Sequence, residues 1–246
     1  MTPRKEIIGN AELWLGDCLE VMQALEPVDH IICDPPYEAA LHNARSHLSK
    51  LRKDGCPEMQ EINFTAIDEI RDAYVSASVP LCNGWFIAFC TVEGARPWAD
   101  AINVSPMKYK RSCVWVKPDS TPQLNGQGPA QGAEVFVVAW GGQGHARWNA
   151  GGKRGVYTHL VNNPERTGLH PTEKPRRLMS EIVADFTNPN QTILDPFMGS
   201  GTTGVAAVMA GRRFIGIEQN PEYFELACKR LTDAQRQGSL FSREVA

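Results

Sequence analysis

Short apolar runs alternate with amphipathic stretches along this chain, and the two patterns predict different elements of secondary structure. Runs rich in β-branched and aromatic residues, bounded by turn residues, predict seven strands at 12–15, 28–33, 84–91, 112–117, 133–140, 191–195 and 213–218. Apolar positions at helical spacing predict helices at 18–25, 65–79, 94–103, 174–187, 201–211 and 221–236. Because strands and helices alternate, we expect an α/β fold with a seven-stranded, mostly parallel sheet covered by helices on both faces.

The final predicted helix has the clearest boundaries. Asn220 can cap its first turn and Pro221 suits the first helical position, while Gly238 is expected to end it. The chain of 246 residues is long enough for one α/β domain with a full core and leaves little room for a second. We therefore expect a single domain over residues 1–246.

Composition narrows the class of protein without identifying it. The chain has 42% hydrophobic and 22% charged residues, which is typical of a globular protein. No apolar run approaches the roughly 18 residues that span a membrane, so we expect a cytoplasmic protein with no membrane partner. The seven cysteines are scattered, without Cys-x-x-Cys or His pairs at ligand spacing, which predicts reduced thiols and no metal site.

The net charge of −3 conceals three basic stretches. Residues 41–53 and 108–117 contain no acid, and residues 141–177 carry seven Lys or Arg against two Glu. A single run of this kind is usually a solvated face. Three of them around one pocket favour contact with phosphates.

A glycine-rich turn between a predicted strand and helix indicates a site for a nucleoside cofactor. Strand 191–195 ends on Asp195, and residues 199–204 read Gly-Ser-Gly-Thr-Thr-Gly, a turn that lets backbone N–H groups approach a ligand. The next strand ends on Glu218, 23 residues after Asp195, where a carboxylate can accept hydrogen bonds from both hydroxyls of a ribose. These features alone fit either a dinucleotide or S-adenosylmethionine.

The order of the elements separates these two ligands. A dinucleotide domain needs several further strand–helix units after the glycine turn, but only 28 residues follow Glu218. The remaining strands must therefore come from upstream, so the sheet is permuted relative to a dinucleotide fold. This order favours S-adenosylmethionine.

A second motif, Asp34-Pro35-Pro36-Tyr37, follows the apolar strand 28–33. Each proline disfavours helical geometry in the residue before it, and neither proline has an N–H. The resulting rigid turn would present the Asp34 carboxylate and the Pro35 carbonyl as acceptors for the two hydrogens of a ring amine, beside the Tyr37 ring as a stacking surface. Alone, the motif also fits a plain turn, and its pairing with the cofactor motif favours the functional interpretation.

Together the two motifs resemble the amino-methylating DNA methyltransferases (N6-adenine or N4-cytosine), in the permuted β group whose catalytic motif precedes the cofactor motif. The resemblance spans nearly the whole chain and implies a circularly permuted, Rossmann-like methyltransferase fold that binds S-adenosylmethionine. It implies catalytic roles for Asp34, Pro35, Pro36 and Tyr37. It implies cofactor contacts by Asp17, Cys18, Asp34, His170, Pro171, Thr172, Lys174, Asp195, Pro196, Phe197, Gly199, Ser200, Gly201, Thr202, Glu218 and Gln219. For Asp17, an acid favoured by the helix dipole is the alternative interpretation.

The resemblance further implies direct transfer of a methyl group to the exocyclic amine of a base that is flipped out of double-stranded DNA. Asp34 favours N6 of adenine, and N4 of cytosine is the alternative. A methyltransferase acting on RNA or on a protein amide is disfavoured by Asp34 and by the motif order. A DNA-binding module that has lost catalysis is disfavoured because both motifs are intact.

Two segments are candidates for DNA recognition or for a homodimer contact, the insertion 38–80 and the loop 141–169. Trp148, Tyr157 and the arginines of 141–170 are candidates to grip the DNA strand or to fill the gap that the flipped base leaves. For Trp148, a loop residue packed against the core is the alternative.

Overall fold

The computed structural model describes residues 3–37, 67–121, 127–162 and 173–243, with side chains as far as residue 237. The strands of this part are β1 (Arg4–Ile8), β2 (Ala11–Leu15), β3 (His30–Cys33), β4 (Trp85–Cys90), β5 (Lys108–Val116), β6 (Ala133–Trp140), β7 (Val156–Thr158), β8 (Thr192–Asp195) and β9 (Arg213–Glu218). The helices are α1 (Cys18–Met22), α2 (Ile67–Ser78), α3 (Ala95–Asn103), α4 (Arg176–Phe186), α5 (Thr202–Met209) and α6 (Pro221–Arg243).

All these strands belong to one sheet in the order β1-β2-β9-β8-β3-β4-β6-β5-β7. The central strands β2, β9, β8, β3 and β4 run parallel to one another. Strand β6 is antiparallel to both β4 and β5, and β1 is antiparallel to β2. The strands on either side of β6 therefore point the same way, so β5 ends at the same edge of the sheet as the parallel core.

The predicted α/β class with a mostly parallel sheet is confirmed, but the predicted count of seven strands is wrong. The described part of the sheet has nine strands, because β1 and β7 were not expected. Both are edge strands: β1 is largely exposed, with Ile7 69% accessible, and β7 has three residues. Edge strands bury too little to leave a hydrophobic pattern in the sequence.

Two hydrophobic clusters cover the two faces of the sheet. One contains Ile182 of α4, Ala206 of α5 and Leu231 of α6. The other contains Val21 of α1, Tyr74 of α2 and Trp98 of α3. Three helices therefore lie on each side, which is the arrangement that alternating strands and helices predict. Among the described residues, no helix is both long and apolar enough to cross a membrane.

The last helix begins where it was expected and ends later. The Asn220 side chain accepts hydrogen bonds from the backbone N–H groups of Glu222 and Tyr223, at 2.8 and 3.3 Å, which confirms the predicted cap. The helix then continues through Gly238 to Arg243. A single glycine costs a helix only about 1 kcal/mol relative to alanine, so it does not by itself end a long one.

Candidate active site

Four neighbouring parallel strands end at one edge of the sheet, and an acid stands at or just after each end. Leu15 pairs with Glu218, and Asp195 pairs with Gly216. On the other side of β8, Leu194 pairs with Ile31. Asp17, Glu218, Asp195 and Asp34 therefore lie along one edge, and the two sequence motifs meet in space. Ligands of open α/β sheets bind at this edge, outside the carboxyl ends of the strands.

The glycine turn has the backbone that its sequence predicts. Gly199 and Gly201 have φ angles of +51° and +81°, in the left-handed region that favours glycine. A Cβ on Gly201 would lie 2.9 Å from Leu231 Cδ1, and one on Gly204 would lie 2.6 Å from the Phe214 ring. The turn is therefore packed closely against α6 and β9, and its backbone N–H groups are fixed at the start of α5.

Glu218 is buried beside this turn, and backbone groups already hold its carboxylate. Its Oε2 accepts a hydrogen bond from Gly199 N at 2.9 Å, and its Oε1 accepts one from Asn220 N at 2.7 Å. Burial raises the pKa of this carboxyl, and the backbone donors oppose that shift. Each carboxylate oxygen has a second lone pair, so the oriented group can still accept two hydroxyls.

Asp195 is fully enclosed under the same turn. Its Oδ1 accepts a hydrogen bond from Phe197 N at 3.0 Å. Burial raises the pKa of Asp195 to about 7, opposed by hydrogen bonds from Thr203 and Phe197 and reinforced by the charges of Asp34 and Glu218. The folded protein therefore binds a proton at Asp195 more tightly than the unfolded chain does.

This raised pKa predicts a pH dependence of stability. Between about pH 4 and pH 7 the folded state holds more protons at Asp195 than the unfolded state, so the free energy of unfolding falls as pH rises through that window. Asp195→Asn removes this contribution, which amounts to ~4 kcal/mol across the window. Urea unfolding of both proteins at pH 4.5 and 7.5, without cofactor, measures most of this difference. Parallel pH curves for the two proteins would contradict the assignment.

Tyr74 of α2 connects the two motifs. Its hydroxyl lies 3.1 Å from the Sγ atom of Cys33, the residue that precedes Asp34 in the sequence. Its ring packs edge-on against Phe197, with the ring centroids 5.0 Å apart. Burial raises the pKa of the Cys33 thiol well above its ordinary value, so this cysteine stays protonated. Tyr74 was not among the predicted site residues, because its position on an amphipathic helix is also that of an ordinary core residue.

Three further predicted cofactor residues follow the ends of β2 and β9. Asp17 Oδ1 accepts hydrogen bonds from Leu19 N at 2.9 Å and Glu20 N at 3.1 Å, so it caps α1, as its alternative interpretation expected. The side chain of Cys18 is buried in the core, which raises its thiol pKa to about 12. Gln219 is exposed directly after β9.

The tetrapeptide side chains take part in a compact charge cluster. Lys174 Nζ lies 2.7 Å from both carboxylate oxygens of Asp34 and 2.7 Å from the Tyr37 hydroxyl. The Tyr37 hydroxyl donates to Glu134 Oε2 at 2.7 Å, and Lys174 Nζ lies 3.3 Å from the same oxygen. Lys117 pairs with Glu134 Oε1.

Lys174 was expected at the cofactor, and the structure places its ammonium against the tetrapeptide. The expected neighbours His170, Pro171 and Thr172 lie outside the described residues.

Two carboxylates and two ammonium groups balance one another in this cluster. Burial alone would raise the pKa of Glu134, but Lys174 and Lys117 lower it to about 2. Burial opposes the charge of Lys174, and Asp34 and Glu134 nevertheless raise its pKa. Burial raises the pKa of Asp34, and the Lys174 ammonium opposes that shift. We conclude that Lys174 and Glu134 stay ionised at neutral pH.

Glu134 and Lys117 were not among the predicted site residues, although the sequence carries a signal for them. Glu134 is a single acid at the start of the apolar strand β6, and Lys117 follows directly after β5. Trp115 of β5 pairs with Glu134, so the sheet register brings both groups to the edge where Asp34 lies. A charge at the end of an apolar strand indicates a ligand edge, but its partner cannot be known without the strand order.

Arg230 of α6 joins the cofactor turn to the segment that carries Lys174. Its Nη1 donates to Ser200 O at 2.8 Å and Ser200 Oγ at 2.7 Å, and lies 3.2 Å from Thr202 Oγ1. Its Nη2 pairs with Glu173 at 2.6 Å. Burial lowers the pKa of Arg230, and Glu173 opposes that shift. One guanidinium therefore fixes the glycine turn relative to Glu173 and Lys174.

The expected strand-gripping role of Tyr157 is wrong. Tyr157 is 1% exposed and donates its hydroxyl to Asp185 at 2.8 Å. Trp148 packs against Phe186, with ring centroids 4.7 Å apart, as its alternative interpretation expected.

Within the described residues, no group of three or more His, Cys, Asp or Glu side chains is arranged to hold a metal ion.

Comparisons with known proteins agree with this geometry. Residues 28–229 match the family model for DNA methylase. The type II methyltransferase M2.DpnII of Streptococcus pneumoniae is 55% identical over 236 residues, which cover 88% of this chain and 87% of that protein. The crystal structure of the M1.HpyAVI–SAM complex is 30% identical with a TM-score of 0.68, covering 90% of this chain and 98% of that chain. The DNA adenine methyltransferase YhdJ of Escherichia coli K12 is 50% identical over 62 residues, which are 25% of this chain and 21% of that protein.

The fold and the paired motifs therefore define an α/β methyltransferase with a nucleoside-cofactor turn beside an amine-binding tetrapeptide. The chain belongs to the DNA methylase family, whose model matches most of its length. The resemblance to the amino-methylating DNA methyltransferases is thereby confirmed.

Proposed function

We propose that the chain transfers the methyl group of S-adenosylmethionine to the exocyclic amine of a flipped base in double-stranded DNA, and that this amine is N6 of adenine. The observation that carries the proposal is the meeting of the tetrapeptide and the glycine turn at one strand edge. Strands β3 and β8 are direct parallel neighbours, so the two motifs leave the sheet side by side. Neighbouring strands lie about 4.8 Å apart, which brings a cofactor methyl and a base amine within reach of each other.

The described residues fit S-adenosylmethionine at the glycine turn. Gly199 and Gly201 present backbone at the start of α5, and Glu218 is oriented to accept ribose hydroxyls. Phe197, held edge-on by Tyr74, supplies an aromatic surface beside the turn. Bound there, the cofactor supplies a sulfonium methyl group as the electrophile.

The tetrapeptide has the chemistry to hold the nucleophile. The Asp34 carboxylate and the Pro35 carbonyl accept the two hydrogens of the amine, which leaves the nitrogen lone pair pointing away from them. The Tyr37 ring stacks on the base. The hydrogen bond from the Tyr37 hydroxyl to Glu134 fixes the orientation of this ring. This chain then contributes position and charge, and the reaction needs no covalent enzyme intermediate.

Two observations favour adenine over cytosine. Asp34 occupies the first position of the tetrapeptide, where the resemblance associates aspartate with adenine. The relative from Escherichia coli that is 50% identical over 62 residues is named a DNA adenine methyltransferase. N4 of cytosine is the second candidate.

The loop 141–162 supports the proposed contact with DNA phosphates. Arg147 and Arg154 are exposed on it. The loop is tied to α4 and the residues after it by Asn149, whose Nδ2 donates to Thr187 O at 2.9 Å, and by Lys153, which pairs with Glu181 at 2.7 Å. These arginines therefore project from an anchored loop.

Within the candidate segment 38–80, helix α2 is poorly suited to contact phosphates. Its exposed face carries Asp68, Glu69 and Asp72. Acidic side chains repel a phosphate backbone. We propose that this segment contributes to a homodimer, which sedimentation velocity measurements of the full chain test directly. A monomer at all concentrations would contradict it.

Labelled methyl transfer tests the proposed reaction. The protein is incubated with duplex DNA and S-adenosylmethionine carrying a tritiated methyl group, and the DNA is digested to nucleosides. We expect label in N6-methyl-2′-deoxyadenosine and at least about a hundredfold less with Asp34→Asn. Label in N4-methyl-2′-deoxycytidine would support the second candidate, and no label in duplex or single-stranded DNA would contradict the proposed function.

A further inference from the structure

The Lys174 ammonium has more acceptors around it than it has hydrogens. Both oxygens of Asp34 and the Tyr37 hydroxyl lie 2.7 Å from Nζ, and Glu134 Oε2 lies 3.3 Å away. An ammonium group has three N–H donors, so four acceptors leave one in excess. If one Asp34 oxygen were released, the ammonium would still have three partners.

The four acceptors are not equivalent for the proposed reaction. Asp34 must accept a hydrogen from the target amine, whereas Glu134 lies behind Tyr37 on a different strand. A Lys174 ammonium held by Asp34 alone would occupy both oxygens that face it. A base amine would then have to compete with a full positive charge for its acceptor.

We propose that Glu134 is a positioning residue that holds the Lys174 ammonium so that one Asp34 oxygen is available to the target amine. This inference rests on the proposed function, because it assigns a role within the same pocket. The amine takes the oxygen that the ammonium releases, and Lys174 keeps its three hydrogens throughout. No proton or electron pair moves in this exchange.

The surroundings of Glu134 fit this role. Lys117 pairs with Glu134 Oε1, which turns Oε2 towards Tyr37 and Lys174. Glu134 and Lys174 are 9% and 7% exposed, so water competes little for their charges. Asp34, Glu134, Lys174 and Lys117 together carry two charges of each sign, so the base amine enters a neutral cluster.

Glu134→Gln tests the inference because it keeps the shape of the side chain and removes its charge. The Lys174 ammonium should then bind Asp34 more tightly. We expect the single-turnover rate of methyl transfer at saturating DNA to fall by at least about tenfold. The dissociation constant of S-adenosylmethionine should stay within about twofold of wild type. Glu12→Gln is the matched control, because Glu12 is also a strand glutamate paired with a lysine, Lys5, at 2.9 Å.

The double variant Glu134→Gln/Lys174→Met separates positioning from a structural role. If Glu134 acts through the ammonium, removing the ammonium frees Asp34, and the double variant should be at least about fivefold faster than Glu134→Gln. A purely structural glutamate predicts a double variant no faster than the single one. The double variant removes one charge of each sign, so the cluster stays balanced.

The comparison of the double variant with Lys174→Met gives a second result that does not require Glu134→Gln to fold. With the ammonium absent, losing the Glu134 charge should change the rate by less than about threefold. A loss of about tenfold or more in that background would overturn the inference, as would wild-type turnover by Glu134→Gln. These outcomes differ from failure of the proposed function, in which the wild-type protein itself transfers no methyl group to DNA.

Discussion

Replacing Asp34 with asparagine is expected to slow methyl transfer by at least about a hundredfold and to leave the affinity for S-adenosylmethionine within about threefold of wild type. The amide has the shape of the carboxylate, but it offers one acceptor oxygen without a full charge. The amine would lose a charge-assisted hydrogen bond that strengthens as positive charge develops on its nitrogen. The measurement is single-turnover transfer to duplex DNA, with cofactor binding followed by calorimetry.

The Asp34 variants also disturb the charge cluster, so their folding must be measured. Removing one partner of a buried ion pair costs about 3–5 kcal/mol when the other charge stays uncompensated. Asp34→Ala would cost less than this, because Glu134 still lies 3.3 Å from the Lys174 ammonium. Asp34→Asn/Lys174→Met removes both charges and should fold like wild type, but it should stay inactive. Turnover near the wild-type rate in this double variant would exclude the assigned role of Asp34.

Glu218→Gln is expected to raise the dissociation constant of S-adenosylmethionine by about a hundredfold. Hydrogen bonds to a charged acceptor contribute about 1.5–3 kcal/mol each, and the carboxylate can accept two from a ribose. The amide has only one acceptor oxygen, and its NH2 group would face the backbone N–H of either Gly199 or Asn220. Transfer at saturating cofactor should recover, because Glu218 does not contact the amine.

Glu222, four residues after Glu218, serves as the control for this variant. Glu222 is an exposed glutamate in the first turn of α6, and Glu222→Gln should leave the cofactor dissociation constant unchanged within experimental error. Titration calorimetry of both variants separates a local charge effect from a change at the carboxylate itself. Equal affinities for Glu218→Gln and wild type would remove Glu218 from the cofactor site.

The sequence predicts the site where a motif follows an apolar strand directly. The tetrapeptide after β3, the glycine turn after β8 and Glu218 at the end of β9 each carry their own local signal, and the sheet places them together. Partners from distant elements carry no such signal. Lys174 precedes α4 in the sequence, but its ammonium reaches Asp34 only because the fold brings that segment over the strand edge. The prediction for Tyr157 failed for the same reason, because the local sequence of a short edge strand does not show whether its aromatic residue faces the core or the solvent.

The glycine turn needs α6 behind it as much as it needs its own glycines. A Cβ on Gly201 would lie 2.9 Å from Leu231 Cδ1 and 3.1 Å from Ala227 Cβ, and Arg230 holds Ser200 from the same helix. A transplanted turn would therefore bring no cofactor site to a new scaffold unless the supporting helix came with it. Attempts to build minimal methyltransferases should treat residues 199–204 and 227–231 as one inseparable module.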